Sequence, residues 1–539
     1  MRRLPDRARL DHLKKQAKEF LRDYRAGRAE AFARLRDALP AARGRDDAAL
    51  VALDLRLHDV QSCIAREYGF ASWNDLTRYV DVRSAARRDP AAQLLLWLEL
   101  VYGGEPFGRM LRPNPRVALR VLHEHPALLG ADPYLACAVG ETDVLRRAIG
   151  DDRAWVNGIG GPLRMPPLVA VTHSSLLQVP EYRERLHRSV RLLLDGGADP
   201  NQRFTTPAGH TLSALYGAVG KQHDSVLATM LLDAGANPDD GESLYHSLDD
   251  PACTRALLEH GATAHGSNAI YRALDLADPE PLRLLLAFGA DPNEPARNAP
   301  ITQWGSPLLW AIKRGRSRDH VEALLDAGAD PTKRTPAGTS AYGLAAQFGL
   351  DDVAALLRER SGAAAAEILT EEERFVAACA RGDVTEAQRI RAARPDLPAA
   401  LTEQQLRILP ELAAAGHDRA VRTMVELGWP IEARGGDWEA SALNMAVFRG
   451  DAALARFLLE HGAQWTATHG FGDNVLGTLS WSSRMQPSGS GDWVACARLL
   501  REFGVPIGHR DPDEQDAVIV AGRSRPFSDE VYDVLLGGS

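Results

Sequence analysis

Apolar residues in this chain recur in a fixed phrase: two or three leucines, a short polar step, a glycine, then Ala-Asp-Pro or a variant. LLLDGGADPN ends at Asn201, MLLDAGANP at Pro238, LLEHGAT at Thr263, LLLAFGADPN at Asn293 and LLDAGADP at Pro331. Looser copies, MVELGWPI, FLLEHGAQ and LLREFGVPI, end at Ile431, Gln464 and Ile507, and each keeps its glycine. The leucine pair predicts the core face of a helix, and the glycine predicts its stop, because glycine takes the left-handed conformation without a Cβ clash. Asp or Asn before Pro then predicts a turn, since proline fixes its own φ and pushes the preceding residue out of helical space. Helices are predicted to restart at Ser306-Pro307-Leu308-Leu309, Thr339-Ser340-Ala341-Tyr342 and Ser441-Ala442-Leu443-Asn444, where a hydroxyl can cap the new helix. Leu286 and Leu325 are expected in the core between units.

The first 82 residues follow a different pattern. Leu10, Leu13, Ala17, Phe20, Leu21 and Tyr24 fall on one helical face, with Lys14, Lys15, Lys18, Arg22 and Arg25 largely opposite. Ser72-Trp73-Asn74-Asp75 predicts the start of another helix. Met1 to Arg45 holds 14 Lys/Arg and 6 Asp/Glu, whereas the whole chain carries −9. The two ends therefore differ electrostatically.

Both halves of the recurring unit resemble the ankyrin-repeat family: the restarts look like degenerate copies of T-P-L-H-x-A, and the endings like L-L-x-x-G-A-D-P-N. Gly197, Gly235, Gly261, Gly289 and Gly328 lie 38, 26, 28 and 39 residues apart, scattered around the family's roughly 33. The resemblance, to bacterial ankyrin-repeat proteins, implies an all-α solenoid of helix-turn-helix repeats with hairpin loops. It is expected to run as two arrays, 91–361 and 367–539, after a small helical N-terminal module at 1–82. SGAAAA at 361–366 marks the expected break, and Thr370 with Glu373 a capping box beyond it.

Composition fits such an array: 45% hydrophobic, 25% charged and only 6% aromatic residues favour helices packed through leucine and alanine. Five dispersed cysteines with no CxxC point to reduced, buried thiols. No apolar run approaches the roughly 18 residues of a membrane span, and no secretory signal is expected, so the expected location is cytoplasmic.

The common catalytic spacings are missing: no HExxH, G-x-S-x-G, P-loop or dinucleotide fingerprint occurs. His123-Glu124-His125 reads as a polar helix end rather than a metal pair, and the glycines at 158–161 and 470–472 read as hairpin turns. The expectation is a scaffold with no catalytic, cofactor or metal site, binding an unidentified protein through the concave surface of hairpins and first helices. Candidate contacts are Arg203, Phe204, Arg297, Trp304, Lys333, Arg334, Trp438, Trp465, His469, Phe471 and Trp481. Each tryptophan has a plainer alternative, packing between neighbouring units, and Trp310 is assigned to the core. The segment 486–491 between Trp481 and Trp493 reads as an inserted loop, either a recognition finger or a tolerated insertion. Two further readings stay open: the basic N-terminal helix gripping nucleic acid or an anionic surface, and an enzyme with an unrecognised site.

Overall fold

The computed structural model describes residues 2, 4–5, 8–53, 55–85, 89–109, 111–361, 368–485, 491–512 and 517–537. Most of the break expected at 361–366 and most of the insertion expected at 486–491 lie outside these residues. The described chain is all-α in class, 58% helical with a few short strands. It divides into two compact units, 1–269 and 270–539.

The first unit opens with the amphipathic helix Leu10–Arg25, which buries Leu13, Ala17, Phe20 and Tyr24 and leaves Lys15, Lys18, Arg22 and Arg25 exposed. It packs on Leu57–Glu67, which in turn packs on Trp73–Ala85. Ser72 caps the last of these by accepting the Asp75 N–H at 3.1 Å, as its S-x-x-D pattern predicts. Short helices then come in pairs: Pro133–Val139 with Thr142–Asp151, Pro167–Thr172 with Pro180–Asp195, and Ser243–Ser247 with Pro251–Glu259.

The second unit repeats the plan. The helices Pro307–Lys313, Ala341–Gln347 and Glu371–Ala380 pack one on the next, as do Ile408–Ala415, Ala442–Arg449 and Val475–Met485. Of their partners, Arg318–Asp326 packs on Asp351–Ser361, Val384–Ala393 pairs with Glu371–Ala380, and Asp418–Glu426, Ala452–Glu460 and Trp493–Glu502 pack one on the next. Thr370 and Glu373 form the expected capping box, and Ser340 and Ser441 cap their helices, whereas the Ser306 side chain does not.

One local geometry recurs through both units. At Gly197, Gly235, Gly261, Gly289, Gly328, Gly428, Gly462 and Gly504 φ lies between +87° and +98°. In each case the next residue's N–H bonds back to the carbonyl four residues before the glycine, for example Ala329 to Leu324 at 2.9 Å and Ala463 to Leu458 at 3.0 Å. This is the 6→1 bond of a Schellman stop. The residue supplying that carbonyl is Leu193, Leu231, Leu257, Leu285, Leu324, Met424, Leu458 or Leu500, and every one is 0% exposed. The residue one place closer to the glycine is less deeply set, and Leu286 and Leu325 are only half-buried. The core position is therefore one residue earlier than expected. Leu282 and Leu285, or Val321 and Leu324, lie three apart on the inward face, and the following leucine is rotated off it.

Before the last helix, Asp529–Leu535, comes a feature the repeat pattern did not indicate: a three-stranded antiparallel sheet of His509–Arg510, Ala517–Val520 and Arg523–Pro526. Its second turn holds Ala521 and Gly522, both at positive φ, the geometry of a tight hairpin. The run Ala517-Val-Ile-Val520 before Ala-Gly carries the signal for it.

Leu285→Ala and Leu324→Ala should each cost about 2–5 kcal/mol in urea unfolding by opening a cavity at a fully buried position. Leu286→Ala and Leu325→Ala should cost clearly less; equal losses at the neighbouring positions would misplace the core.

Candidate functional site

In the second unit, the face built from hairpins and first helices is partly filled by the protein's own charges. Lys313 ends the Pro307–Lys313 helix with its side chain only 2% exposed, and its Nζ lies 3.2 Å from Glu411 Oε2 and 2.9 Å from Asp437 Oδ1. Glu411 is itself 7% exposed at the side chain, and its Oε1 accepts the Gly436 N–H at 2.9 Å. Arg314 pairs with Asp437 at 2.8 Å and Asp275 at 2.7 Å. Both cations sit over the Trp310 ring, at 4.9 and 4.5 Å. Burial pushes the Asp437 carboxyl up, but Lys313 and Arg314 outweigh it and hold it below the usual range.

Beside this brace, Arg407 donates to both Glu439 oxygens at 2.9 and 2.6 Å and to Gln303 at 3.0 Å, while Thr335 donates to Gln404 at 2.8 Å. Residues 303–335 thus meet residues 404–439 directly. Over this stretch the surface expected to receive a partner is closed by contacts within the chain. Pairs this far apart in sequence leave no local trace, which is why the brace escaped the sequence reading.

Outside the brace stands an aromatic cluster. Trp438 sits at the tip of the hairpin formed by Arg434–Gly435 and Ala440–Ser441. His469 and Phe471 come from the loop before Val475–Met485. The rings of Trp438 and Phe471 lie 16° from parallel with centroids 6.5 Å apart, and His469 stands nearly perpendicular to both, at 5.0 and 6.1 Å. Phe471 is 80% exposed.

The loop is held from several sides. Gly470 N–H donates to the Trp438 carbonyl at 2.8 Å, and a Cβ at 470 would lie 2.8 Å from that same oxygen, so only glycine fits. The Asp473 carbonyl accepts the His469 N–H at 2.8 Å. The Asp473 carboxylate takes a two-pronged contact from Arg525 at 2.9 and 2.6 Å, with Arg523 at 3.2 Å, tying the loop to the C-terminal sheet. Burial favours a protonated Asp473, but those hydrogen bonds and charges prevail and its pKa falls. The Phe471 N–H points at His469 Nδ1 at 3.3 Å, so Nε2 carries the ring proton. Desolvation, against the pull of Asp473 and with help from Arg434, lowers the His469 pKa and keeps the imidazole neutral.

Of the candidate contacts, the structure brings together Trp438, His469 and Phe471. Arg203 is exposed on its strand, Arg297, Lys333 and Arg334 are exposed on loops, Trp481 is 45% exposed on its helix, and Trp465 is half-buried. Three assignments need correction. Trp304 is 1% exposed against Phe348 at 5.8 Å, because the turn Ile301–Gln303 points it inward, so it is a packing residue. Phe204 is buried because side chains alternate along Arg203–Thr205 and it takes the inward position. His469 is buried as well and serves as a wall for its two neighbours rather than as a direct contact.

The glycines at 158–161 serve packing, since a Cβ at Gly160 would lie 2.3 Å from the Tyr134 ring. All five cysteines are free and buried, and desolvation pushes Cys63, Cys253, Cys379 and Cys496 up to about 12, leaving protonated thiols. Among the described residues no cluster of three or more His, Cys, Asp or Glu has metal-binding geometry, and no helix is long and apolar enough to cross a membrane.

The first unit holds a buried polar cluster that sequence reasoning missed. His173 follows the Pro167–Thr172 helix, with Nδ1 3.1 Å from the Val169 carbonyl oxygen and its ring 6.0 Å from Tyr216. Lys221 lies 5.4 Å from the Tyr216 ring and 2.5 Å from Glu105. Gly217 and Gly220, in the π-helical turn Gly217–Lys221, are what admit these rings, because a Cβ at either would strike His173 or Tyr216. The glycines in Tyr-Gly-Ala-Val-Gly-Lys were the available signal. No family model matches the chain, and no curated protein does.

Lys313→Met should cost about 3–5 kcal/mol by leaving Glu411 buried without a counter-charge, and Lys313→Met with Glu411→Gln should recover much of it. A loss below about 1 kcal/mol for the single change would show that the brace carries no weight. Desolvation, reinforced by Lys221, lowers the His173 pKa to about 4 from its ordinary 6.5. A depressed histidine contributes stability that is complete above the unfolded pKa and lost as pH falls toward the folded one. Stability should therefore drop between about pH 6.5 and 4, by at most ~1.4 kcal/mol per pH unit from this group, and His173→Gln should flatten that stretch. An unchanged profile would assign the drop to other groups.

Proposed function

We propose that this chain is a non-catalytic ankyrin-repeat scaffold that binds another protein, and that recognition centres on the hairpin tips around Trp438 and Phe471. Paired short helices, glycine stops with buried leucines and intervening β-hairpins support the ankyrin reading. The observation that carries the functional one is the exposed Phe471 ring, set beside Trp438 on a loop pinned by Gly470 and Asp473. A rigid aromatic loses little entropy on binding, and such residues dominate protein interfaces.

The brace restricts where a partner can lie. With Lys313, Glu411 and Asp437 committed to one another and Arg407 to Glu439 and Gln303, the face between Gln303 and Glu439 offers few open groups. The hairpin edge beyond Trp438 stays accessible, and so do Arg297, Lys333 and Arg334. The basic N-terminal helix is a weaker candidate, because its own acids offset part of its charge: Lys15 pairs with Glu19 and Arg22 with Asp23, both at 4.0 Å.

Crosslinking the full chain in an extract of its own cells should capture a protein whose recovery falls when Trp438 and Phe471 are both changed to alanine. A hot spot of about 2 kcal/mol corresponds to a roughly thirty-fold loss. Arg203→Ala should leave recovery unchanged. Equal capture by the double variant, with its helix content intact, would remove this surface from recognition.

A further inference from the structure

We infer that the ring surface at Trp438 and Phe471 takes an acidic polypeptide segment bearing an aromatic side chain, a conclusion that rests on reading this surface as protein-binding. Two features specify the occupant, the chemistry of the rings and the charge around them.

The loop's backbone donors are already used internally. Gly470 N–H bonds the Trp438 carbonyl, Gly472 N–H the His469 carbonyl, and Phe471 N–H faces His469 Nδ1. An incoming strand finds no free N–H on residues 470–472, so side chains must do the recognition. The exposed Phe471 ring and the half-buried Trp438 ring favour an aromatic group, for which offset or edge-on contact adds to the gain from area burial.

Among the described residues the acids that flank the rings are paired, Asp437 through two cations that Glu411 and Asp275 share. Asp473 is held by Arg525 and Arg523, Glu439 by Arg407, and Asp437 by Lys313 and Arg314. Two arginines remain directed outward. Arg434, on the Trp438 hairpin, is exposed, donates Nε–H to the Glu439 carbonyl at 3.1 Å and has no carboxylate within 4.0 Å among the described residues. Arg523 is 57% exposed, shares Asp473 with Arg525 and donates to the Gly472 carbonyl at 3.0 Å. With Glu411 and Asp275 counted, six cations meet five acids, so the rim of the aromatic patch carries a small positive excess on a chain whose net charge is −9. Such a rim attracts an acidic segment and repels a basic one, while the rings supply affinity that salt does not screen. The same rim argues against a cation seated on the rings, which would lie beside Arg434 and Arg523.

The test uses the full chain and four fluorescein-labelled probes: a random copolymer of glutamate and tyrosine, polyglutamate, a copolymer of lysine and tyrosine, and oligothymidylate, all read by anisotropy. The glutamate-tyrosine polymer should bind at least ten-fold more tightly than polyglutamate, and Phe471→Ala should weaken it about ten-fold or more. Arg434→Gln with Arg523→Gln should weaken it too and reduce the dependence on salt, circular dichroism confirming an unchanged fold. Phe471-dependent binding of the lysine-tyrosine polymer instead would overturn the acidic assignment while leaving the surface protein-binding. Phe471-dependent binding of oligothymidylate alone would overturn both. Binding of no probe, or glutamate-tyrosine binding indifferent to Phe471→Ala, would also defeat the inference.

Discussion

The architecture depends on one coupling. The carbonyl that receives the 6→1 bond at each glycine stop belongs to the residue whose side chain is fully buried, so ending the helix and filling the core are a single local event. A left-handed glycine permits the backbone to reverse, and the N–H that follows it satisfies a carbonyl otherwise left open at the helix end. At Gly328 nothing lies within 4 Å of where a Cβ would be, so the requirement there is conformational rather than steric. Weakening the stop would shift Leu324, and shifting Leu324 would open the layer between Arg318–Asp326 and its neighbours.

With the helix ends fixed, the hairpins are free to specialise, and in the second unit they do so in two ways. Some turn inward: Gln303, Thr335 and Asp437 reach other segments of the same unit, and Lys313 is enclosed by acids and the Trp310 ring. A buried ion pair is poor evidence of net stabilisation, yet it fixes which loops can approach one another. The Trp438 hairpin takes part in both roles. Asp437 faces the brace, while the next residue turns toward His469 and Phe471 and, with them, presents rings outward.

Sequence pattern carried the repeating parts of this fold because the glycine stop and the leucine before it lie within a few residues of each other. The same pattern left the inward register ambiguous by one position, since two adjacent leucines satisfy it equally and only packing separates Leu324 from Leu325. Thr370 and Ser340 are legible as caps for the same local reason, whereas Ala517–Val520 is too short a run to stand out beside the repeats. Trp304 and Phe204 were assigned outward from residue type, although their orientation is set by the turn Ile301–Gln303 and by strand alternation. Trp438, His469 and Phe471 were each visible as unusual hairpin residues, but their meeting was not, because the contact joins two loops about thirty residues apart. The His173 cluster stayed hidden for a related reason, its members lying on three separate segments.

The coupling between helix stop and buried layer is most directly measured by amide hydrogen exchange on the full chain. The N–H of the residue after each glycine, Ala198, Ala236, Ala262, Ala290, Ala329, Trp429, Ala463 and Val505, should exchange as slowly as the helix interior preceding it. Exchange at these amides as fast as at the exposed turns beyond them would show that the stops are not closed, and the link between glycine and core would fail.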